Sequence, residues 1–271
     1  GRVVGPAVTV ALVAALGWKA VFWLFGVIGV LLGVLWFKFV PDNPKQSPYV
    51  NEAELEHIND GRENTVEAKE IAPWGKLLKS SQFWSLGLQF MITDYIMYVF
   101  LAWLPLYLME VHGFSLSKMG LWAAAPWLSL MAVVSCCGYL SDKAIAAGFS
   151  QNLVKTSTGA VGILLCACTL FIATRTADPM MNVFWLSVAL GSLGLTMSAS
   201  WSSVISMGGR FAGSVSGWMN FWGNIGGVLA PSVTAWVATT YGWQAALAVT
   251  AVSGIAGAVL WLFVKPDKAI V

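Results

Sequence analysis

The chain has 271 residues, 58% of them hydrophobic and only 10% charged, with a mean hydropathy of +0.72. A soluble domain carries about 25% charged residues, so this composition excludes an ordinary water-soluble fold. The formal net charge of +2 leaves no basic footprint for a nucleic-acid partner.

Eight apolar runs of spanning or near-spanning length follow one another, at about 3–16, 18–40, 83–109, 119–140, 153–174, 180–207, 212–239 and 243–264. They are longer than typical strands and lack strict alternation. They read as helices, because only helices and closed barrels satisfy the backbone in lipid. The first run is shorter than the roughly 20 residues a spanning helix needs. The chain also opens on Gly1 rather than Met, with no signal-peptide pattern, so the expectation is a helix whose start is cut off. Gly17 separates it from the second run.

From Pro41 to Ser81 the composition changes, with eight acidic and five basic residues. Pro41-Asp42-Asn43-Pro44 stops a helix, and Asn51 to Asp60 is placed as a short amphipathic helix carrying Leu55 and Ile58. The remaining breaks are expected at His112–Lys118, Ser141–Asn152, Arg175–Pro179, Gly208–Arg210 and Gly242. The expected organisation is residues 1–40 as the last two helices of an N-terminal bundle, 41–82 as a linker, and 83–271 as a six-helix C-terminal bundle with a tail.

Alternating the connections across a membrane places Arg2, Lys38, Lys45, Arg62, Lys69, Lys76, Lys79, Lys143, Lys155, Arg210, Lys265 and Lys268 on one side. Only Lys19, Lys118 and Arg175 fall on the other. The positive-inside rule therefore puts the long linker and the C-terminus in the cytoplasm.

Asp94 is the most informative polar residue. It lies about 11 positions into the third run, roughly 16 Å deep and near the middle of a ~30 Å hydrocarbon core. A charge there costs at least about 2.5 kcal/mol and points to function, although a neutral, hydrogen-bonded acid is the alternative. Tyr98 shares its face at i+4, and Tyr95 lies at the same depth. In the sixth run Ser198, Trp201 and Ser202 share a face near mid-depth, away from the interface that Trp favours. In the seventh, Gly213, Gly217, Asn220, Asn224, Gly227 and Pro231 form one stripe, either a close helix–helix contact or a cavity wall that binds a polar solute.

Gly138, Asp142 and Lys143 mark the cytoplasmic end of the fourth run, where Asp142 is placed to accept hydrogen bonds from a neighbouring helix N-terminus. The four cysteines, Cys136, Cys137, Cys166 and Cys168, match no metal or redox spacing and are expected to be small buried hydrophobes. His57 and His112 are expected to be solvated. There is no phosphate loop, metal cluster or nucleophile–base pair, so neither an enzyme nor a cofactor is expected.

Gly138-x-x-x-Asp142-Lys143 resembles the second-half inter-helix signature of the major facilitator superfamily. Gly17-Trp18-Lys19-x-x-Phe22, Trp103-Leu104-Pro105-x-Tyr107-Leu108 and Ser216-Gly217-x-x-Asn220-x-x-Gly223-Asn224-x-Gly226-Gly227-x-x-x-Pro231 together resemble its anion:cation symporter family. The resemblance spans nearly the whole chain, as helices 5 to 12 of twelve. It implies an all-α membrane fold and proton-coupled symport of a small organic anion such as a sugar acid by alternating access, in a multi-pass protein of the bacterial inner membrane. It also implies that four N-terminal helices complete the protein. By position it assigns substrate contact to Asp94, Tyr95, Tyr98, Ser198, Trp201, Asn220 and Asn224, with Asp94 the candidate for proton coupling. Alternatives are a transporter of a neutral or cationic solute in the same superfamily and, with less support, a membrane enzyme or channel.

Overall fold

The computed structural model describes residues 4–41, 47, 50–59 and 71–270. Every regular element among them is helical. The chain divides into two compact units, Gly1–Ile71 and Ala72–Val271.

The first unit contains α1 (Val4–Leu16), α2 (Trp18–Phe39) and α3 (Glu52–Asn59). α1 and α2 pack on each other and are joined at Gly17, whose φ of 78° is a conformation L side chains rarely adopt. α2 is apolar all round, and Phe22, Trp23 and Phe37 stand in the open. A helix with that surface belongs against lipid or other helices. α3 falls where the amphipathic segment was expected, and Asn51 Oδ1 accepts the Glu54 N–H at 2.8 Å to cap it.

The second unit begins with the single turn α4 (Trp74–Leu77) and continues as α5 (Ser81–Glu110), α6 (Leu116–Trp122), α7 (Ala124–Ala146), α8 (Gln151–Arg175), α9 (Pro179–Gly208), α10 (Ala212–Tyr241) and α11 (Trp243–Trp261). Six stretches of the described residues are long and apolar enough to cross a membrane. One of them, Pro179–Tyr241, is α9 and α10 run together through a single 3-10 turn at Gly209–Phe211.

The breaks follow the local chemistry. Ser115, Ser150 and Asp178 cap α6, α8 and α9 by accepting the N–H three residues on. Gly242, at φ 86°, turns α10 into α11. Two boundaries differ from expectation. The fourth run is interrupted at Ala123, and Pro126 then sits in the first turn of α7, where its missing N–H costs no helical bond. α7 also runs on through the expected break at Ser141 and stops only before Gly148, because Ser141, Asp142 and Lys143 have no need to leave a helix whose end is exposed.

Glycine decides how closely the helices pack. In lipid there is little hydrophobic drive between helices, so association depends on close van der Waals approach. A Cβ on Gly162 of α8 would strike Thr196 and Leu195 of α9. One on Gly191 of α9 would strike Ser129 of α7. One on Gly159 of α8 would enter the Trp261 ring of α11. Trp261 is fully buried there. The tail stays on the bundle, with Val264 buried, its carbonyl accepting Thr156 Oγ1 at 3.1 Å, and the Ile270 N–H donating to the Met207 carbonyl at 3.0 Å. At the α5 N-terminus Trp218 of α10 stacks on Phe83 at 4.7 Å and donates its indole N–H to the Phe83 carbonyl at 3.2 Å. Trp84 meets Trp218 and Trp222 in the same aromatic layer.

The cysteines divide in a way the sequence did not suggest. Cys137 and Cys166 are buried, whereas Cys136 and Cys168 lie on exposed faces of α7 and α8. Adjacent or i+2 positions on a helix point in different directions, so one apolar run supplies both a core side and an outer side.

Candidate functional site

Three helices, α5, α9 and α10, meet around Asp94. Phe90, Asp94 and Tyr98 recur at i, i+4 and i+8 and form one stripe of α5. Asp94 is only 7% exposed. Its carboxylate lies against Gly223 of α10, where a Cβ would come within 2.5 Å of Oδ2 and 2.8 Å of the Phe90 ring. A turn further, the Tyr98 ring lies 3.0 Å from where a Gly227 Cβ would stand. Between them Gly226 faces the Met91 carbonyl and the Tyr95 N–H, so the two backbones almost touch.

Phe90 also receives Trp201 of α9 edge-on, with centroids 5.8 Å apart and planes at 83°. Trp201 remains 41% exposed on its other side. Asn220 and Asn224 are exposed on α10, and Asn224 Nδ2 donates to the Asn220 carbonyl at 2.8 Å. At about 100° per residue they stand roughly 60° and 100° round the helix from Gly223, at the edge of the seam. Pro231 cannot donate to the Gly227 carbonyl, so that carbonyl lacks its usual helical partner beside Tyr98. The seam and its rim bring together an acid, a phenol, two amides and an indole face from three long helices.

Of the residues singled out from the sequence, the structure brings Asp94, Tyr98 and Trp201 to this seam, with Asn220 and Asn224 along its rim. Tyr95 is half-buried and meets the seam through its backbone. Ser198 is half-buried on α9, three residues before Trp201. The glycine stripe of α10 divides. Gly227 is in close approach, while a Cβ on Gly213 or Gly217 would meet nothing within 4 Å. The tight contact uses the neighbouring face, Met219, Gly223, Gly226 and Ala230.

Gly138, Asp142 and Lys143 lie apart, at the far end of α7. Asp142 and Lys143 are exposed there, and Lys143 sits over the Tyr139 ring at 5.6 Å. Asp142 does not cap the next helix, a place taken by Ser150; it lies within Coulombic reach of Lys155 on α8. Lys155 is 8% exposed and donates to the Ser202 carbonyl at 3.0 Å and to Ser206 Oγ at 3.2 Å. No metal-binding group occurs among the described residues.

Two polar networks escaped the sequence reading. In the first, fully buried Gln89 donates from Nε2 to Ser200 Oγ at 3.1 Å, Thr93 Oγ1 donates to the Gln89 carbonyl at 2.9 Å, and Thr196 Oγ1 reaches the Gly159 carbonyl at 2.9 Å. Gln89 and Ser200 are the chain neighbours of Phe90 and Trp201, so the hydrogen bond and the ring contact fix α5 against α9 together. An amide inside the same apolar run as Asp94 was the available signal. The second contains His112, expected to be solvated and found half-buried, with Nε2 3.3 Å from the Tyr107 hydroxyl. The chain folds back at Gly113 and lays the ring on Tyr107, a contact five residues apart that helical periodicity does not register. The His57 side chain lies outside the described residues.

The sequence profile of the Major Facilitator Superfamily matches residues 1–231. The chain belongs to that superfamily. Membership and the long apolar helices make it an integral, multi-pass membrane protein. Among curated relatives, a chloroplastic ascorbate transporter of Arabidopsis thaliana is 28% identical over 269 residues, covering 99% of this chain and 50% of the relative. A probable sulfoacetate transporter of Cupriavidus necator is 30% identical over 236 residues, 86% of this chain and 54% of the relative. The D-galactonate transporter of Escherichia coli is 28% identical over 263 residues, 93% and 60%. This chain thus spans about half the length of the curated relatives it matches.

Proposed function

We propose that the chain forms part of a secondary active transporter that moves a small organic anion, such as a sugar acid, together with protons by alternating access. The observation that carries this reading is the exposure of Asn220, Asn224 and Trp201 within 30-residue apolar helices beside the buried Asp94. Amides facing hydrocarbon would lose their hydrogen bonds at a cost of about 1–2 kcal/mol or more each. The α9–α10 rim therefore fits a water-filled path better than lipid. Amides, a phenol and an indole face suit a hydroxylated carboxylate. Asp94, the buried carboxylic acid at mid-depth, is the group to carry the coupling proton. The substrates after which the three relatives above are named, galactonate, ascorbate and sulfoacetate, are all organic acids.

The acid at the centre of the seam also favours a second reading, transport of a neutral or cationic solute. Proteoliposomes holding the full-length protein separate the two. Under an inward proton gradient, labelled galactonate or glucarate should accumulate, and unlabelled organic acids should compete while sugars and amines do not. Competition by amines or neutral sugars alone would overturn the anion assignment. A bacterial plasma membrane is the expected location, although a chloroplastic transporter is among the relatives.

A further inference from the structure

At the end of the second unit that carries the α5 C-terminus, four elements are wired together by hydrogen bonds. Asn182, fully buried in the first turn of α9, holds its amide nitrogen 2.9 Å from the Ala173 carbonyl, 3.0 Å from the Tyr107 phenol oxygen and 3.5 Å from the Thr176 carbonyl. Two carbonyls at that nitrogen fix the amide orientation, since reversing it would set oxygen against oxygen. The phenol oxygen therefore accepts from Asn182, and His112 Nε2 lies 3.3 Å from it, where a neutral ring with no proton on Nε2 accepts the phenol O–H. That last bond requires an unprotonated Nε2. An imidazolium donates from both nitrogens, so on protonation Nε2 can no longer accept the phenol proton, which must turn away from the ring.

The charged ring would not be stranded. Asn182 Oδ1 is buried with no hydrogen-bond partner, and the Asn182 side chain favours the charged form of the ring. The Asp178 carboxylate, which caps α9, is within Coulombic reach of the ring. The other charges at this end are engaged elsewhere. Glu110 of α5 accepts the Trp243 indole N–H of α11 at 2.8 Å. Lys118 of α6 lies over the Phe114 ring at 4.5 Å, and Arg175 of α8 over Phe171 at 5.4 Å. Each protonation state of His112 thus has its own set of partners, which is what separates a switch from a simple loss of stability.

We propose that His112 is a proton-operated latch. Neutral, it closes the chain His112–Tyr107–Asn182–Ala173 and ties the end of α5 to α8 and α9. Protonated, it releases the Tyr107 hydroxyl, turns to Asp178 and Asn182 Oδ1, and loosens that end of α5. The loosening has somewhere to go. Tyr107 also lines an apolar gap between α5, α9 and α11, with Trp103, Leu104, Leu186 and Trp243. Burial holds the ring below the ordinary histidine value, opposed by Asn182 and Asp178, so the latch opens on the acid side of neutrality. On the charge assignment this end faces away from the cytoplasm. Its use in transport, acid outside releasing the outer half of α5, rests on the function proposed above; the latch itself does not.

The test uses the full-length protein in lipid nanodiscs. Histidine ring NMR, with the His112 signal assigned by its loss in His112→Gln, should titrate below pH 6.5. Tyr107→Phe removes the donor to the neutral ring and should raise the midpoint by about one pH unit. Asn182→Leu and Asp178→Asn remove partners of the charged ring and should lower it. A cysteine replacing buried Leu104, its rate divided at each pH by that of an exposed cysteine to remove the loss of thiolate, should be labelled several-fold faster below the midpoint, and that gain should vanish when His112→Gln is added. A midpoint at or above the ordinary value that none of the three partner variants moves would overturn the proposal. So would labelling that is indifferent to pH. If Leu104→Cys does not fold, the NMR titration alone decides. A protein that carries no organic anion yet keeps the pH response would sink the transport reading and leave the latch standing.

Discussion

The carboxylate of Asp94 on α5 rests directly against the backbone of α10 at Gly223, where a methyl group would come within 2.5 Å of Oδ2. The acid and the glycine are one feature, since the side chain at mid-depth has room only because its neighbour has none. Gly223→Ala should therefore displace the carboxylate and the Phe90 ring while the protein still folds, because both obstacles are side chains. Gly226→Ala meets the Met91 carbonyl, which cannot rotate away, and should cost more, about 3 kcal/mol or above against 1–3 for Gly223→Ala. Melting curves in detergent for the two variants check the order. Equal melting temperatures would show that the seam yields more readily than its geometry implies.

Asp94→Asn keeps the shape and can still donate a hydrogen bond, but it cannot carry a proton. If the acid is the coupling site, accumulation driven by a proton gradient collapses while exchange of internal for external substrate survives. Both fluxes are measured in the same proteoliposomes. Wild-type accumulation in the Asn variant would end the coupling assignment.

Asn224 and Asn220 are exposed, so replacing either by Leu should leave thermal stability nearly unchanged. It should raise the transport KM about tenfold, the worth of one hydrogen bond to a charged group. Gln89→Leu should behave in the opposite way. It strips a partner from buried Ser200 and Thr93, at a cost of about 1–3 kcal/mol in stability, without touching the rim. Melting temperature and KM, measured on all three variants, separate the lining residues from those that hold the helices.

His112 gives stability a definite pH sign. Its folded value is lowered by burial, so the unfolded chain takes up the proton first as pH falls. Stability should decline as pH drops through about 6.5 and level off below the folded value. The melting temperature of the wild type should fall between pH 7.5 and 5.5 by more than that of His112→Gln. Parallel curves would remove His112 from the account.

The charge asymmetry also predicts sidedness. A single cysteine replacing Glu54, exposed on α3, should react with a membrane-impermeant maleimide only after the cells are permeabilised. Labelling in intact cells would invert the topology.

Much of this protein follows from one-dimensional pattern. Run length and missing charge set the helices, because a bilayer demands about 20 apolar residues and a backbone bonded to itself. Gly17, Gly209 and Gly242 marked the tight turns, and the depth of Asp94 could be counted off at 1.5 Å per residue. What the pattern could not decide was direction around each helix. In an apolar run every face looks alike, so the α10 glycines could be assigned to a stripe but not to the partner that fills it. The structure set Gly223, Gly226 and Gly227 against α5 and left Gly213 and Gly217 open. For the same reason Lys155, one more positive charge when topology is counted, proved to be tied to α9, and His112 proved to be folded onto Tyr107. Length and hydrophobicity are sums along the chain, which the sequence states outright. The Gln89–Ser200 pair, 111 residues apart, exists only because closely packed helices leave a buried polar group no other partner within reach.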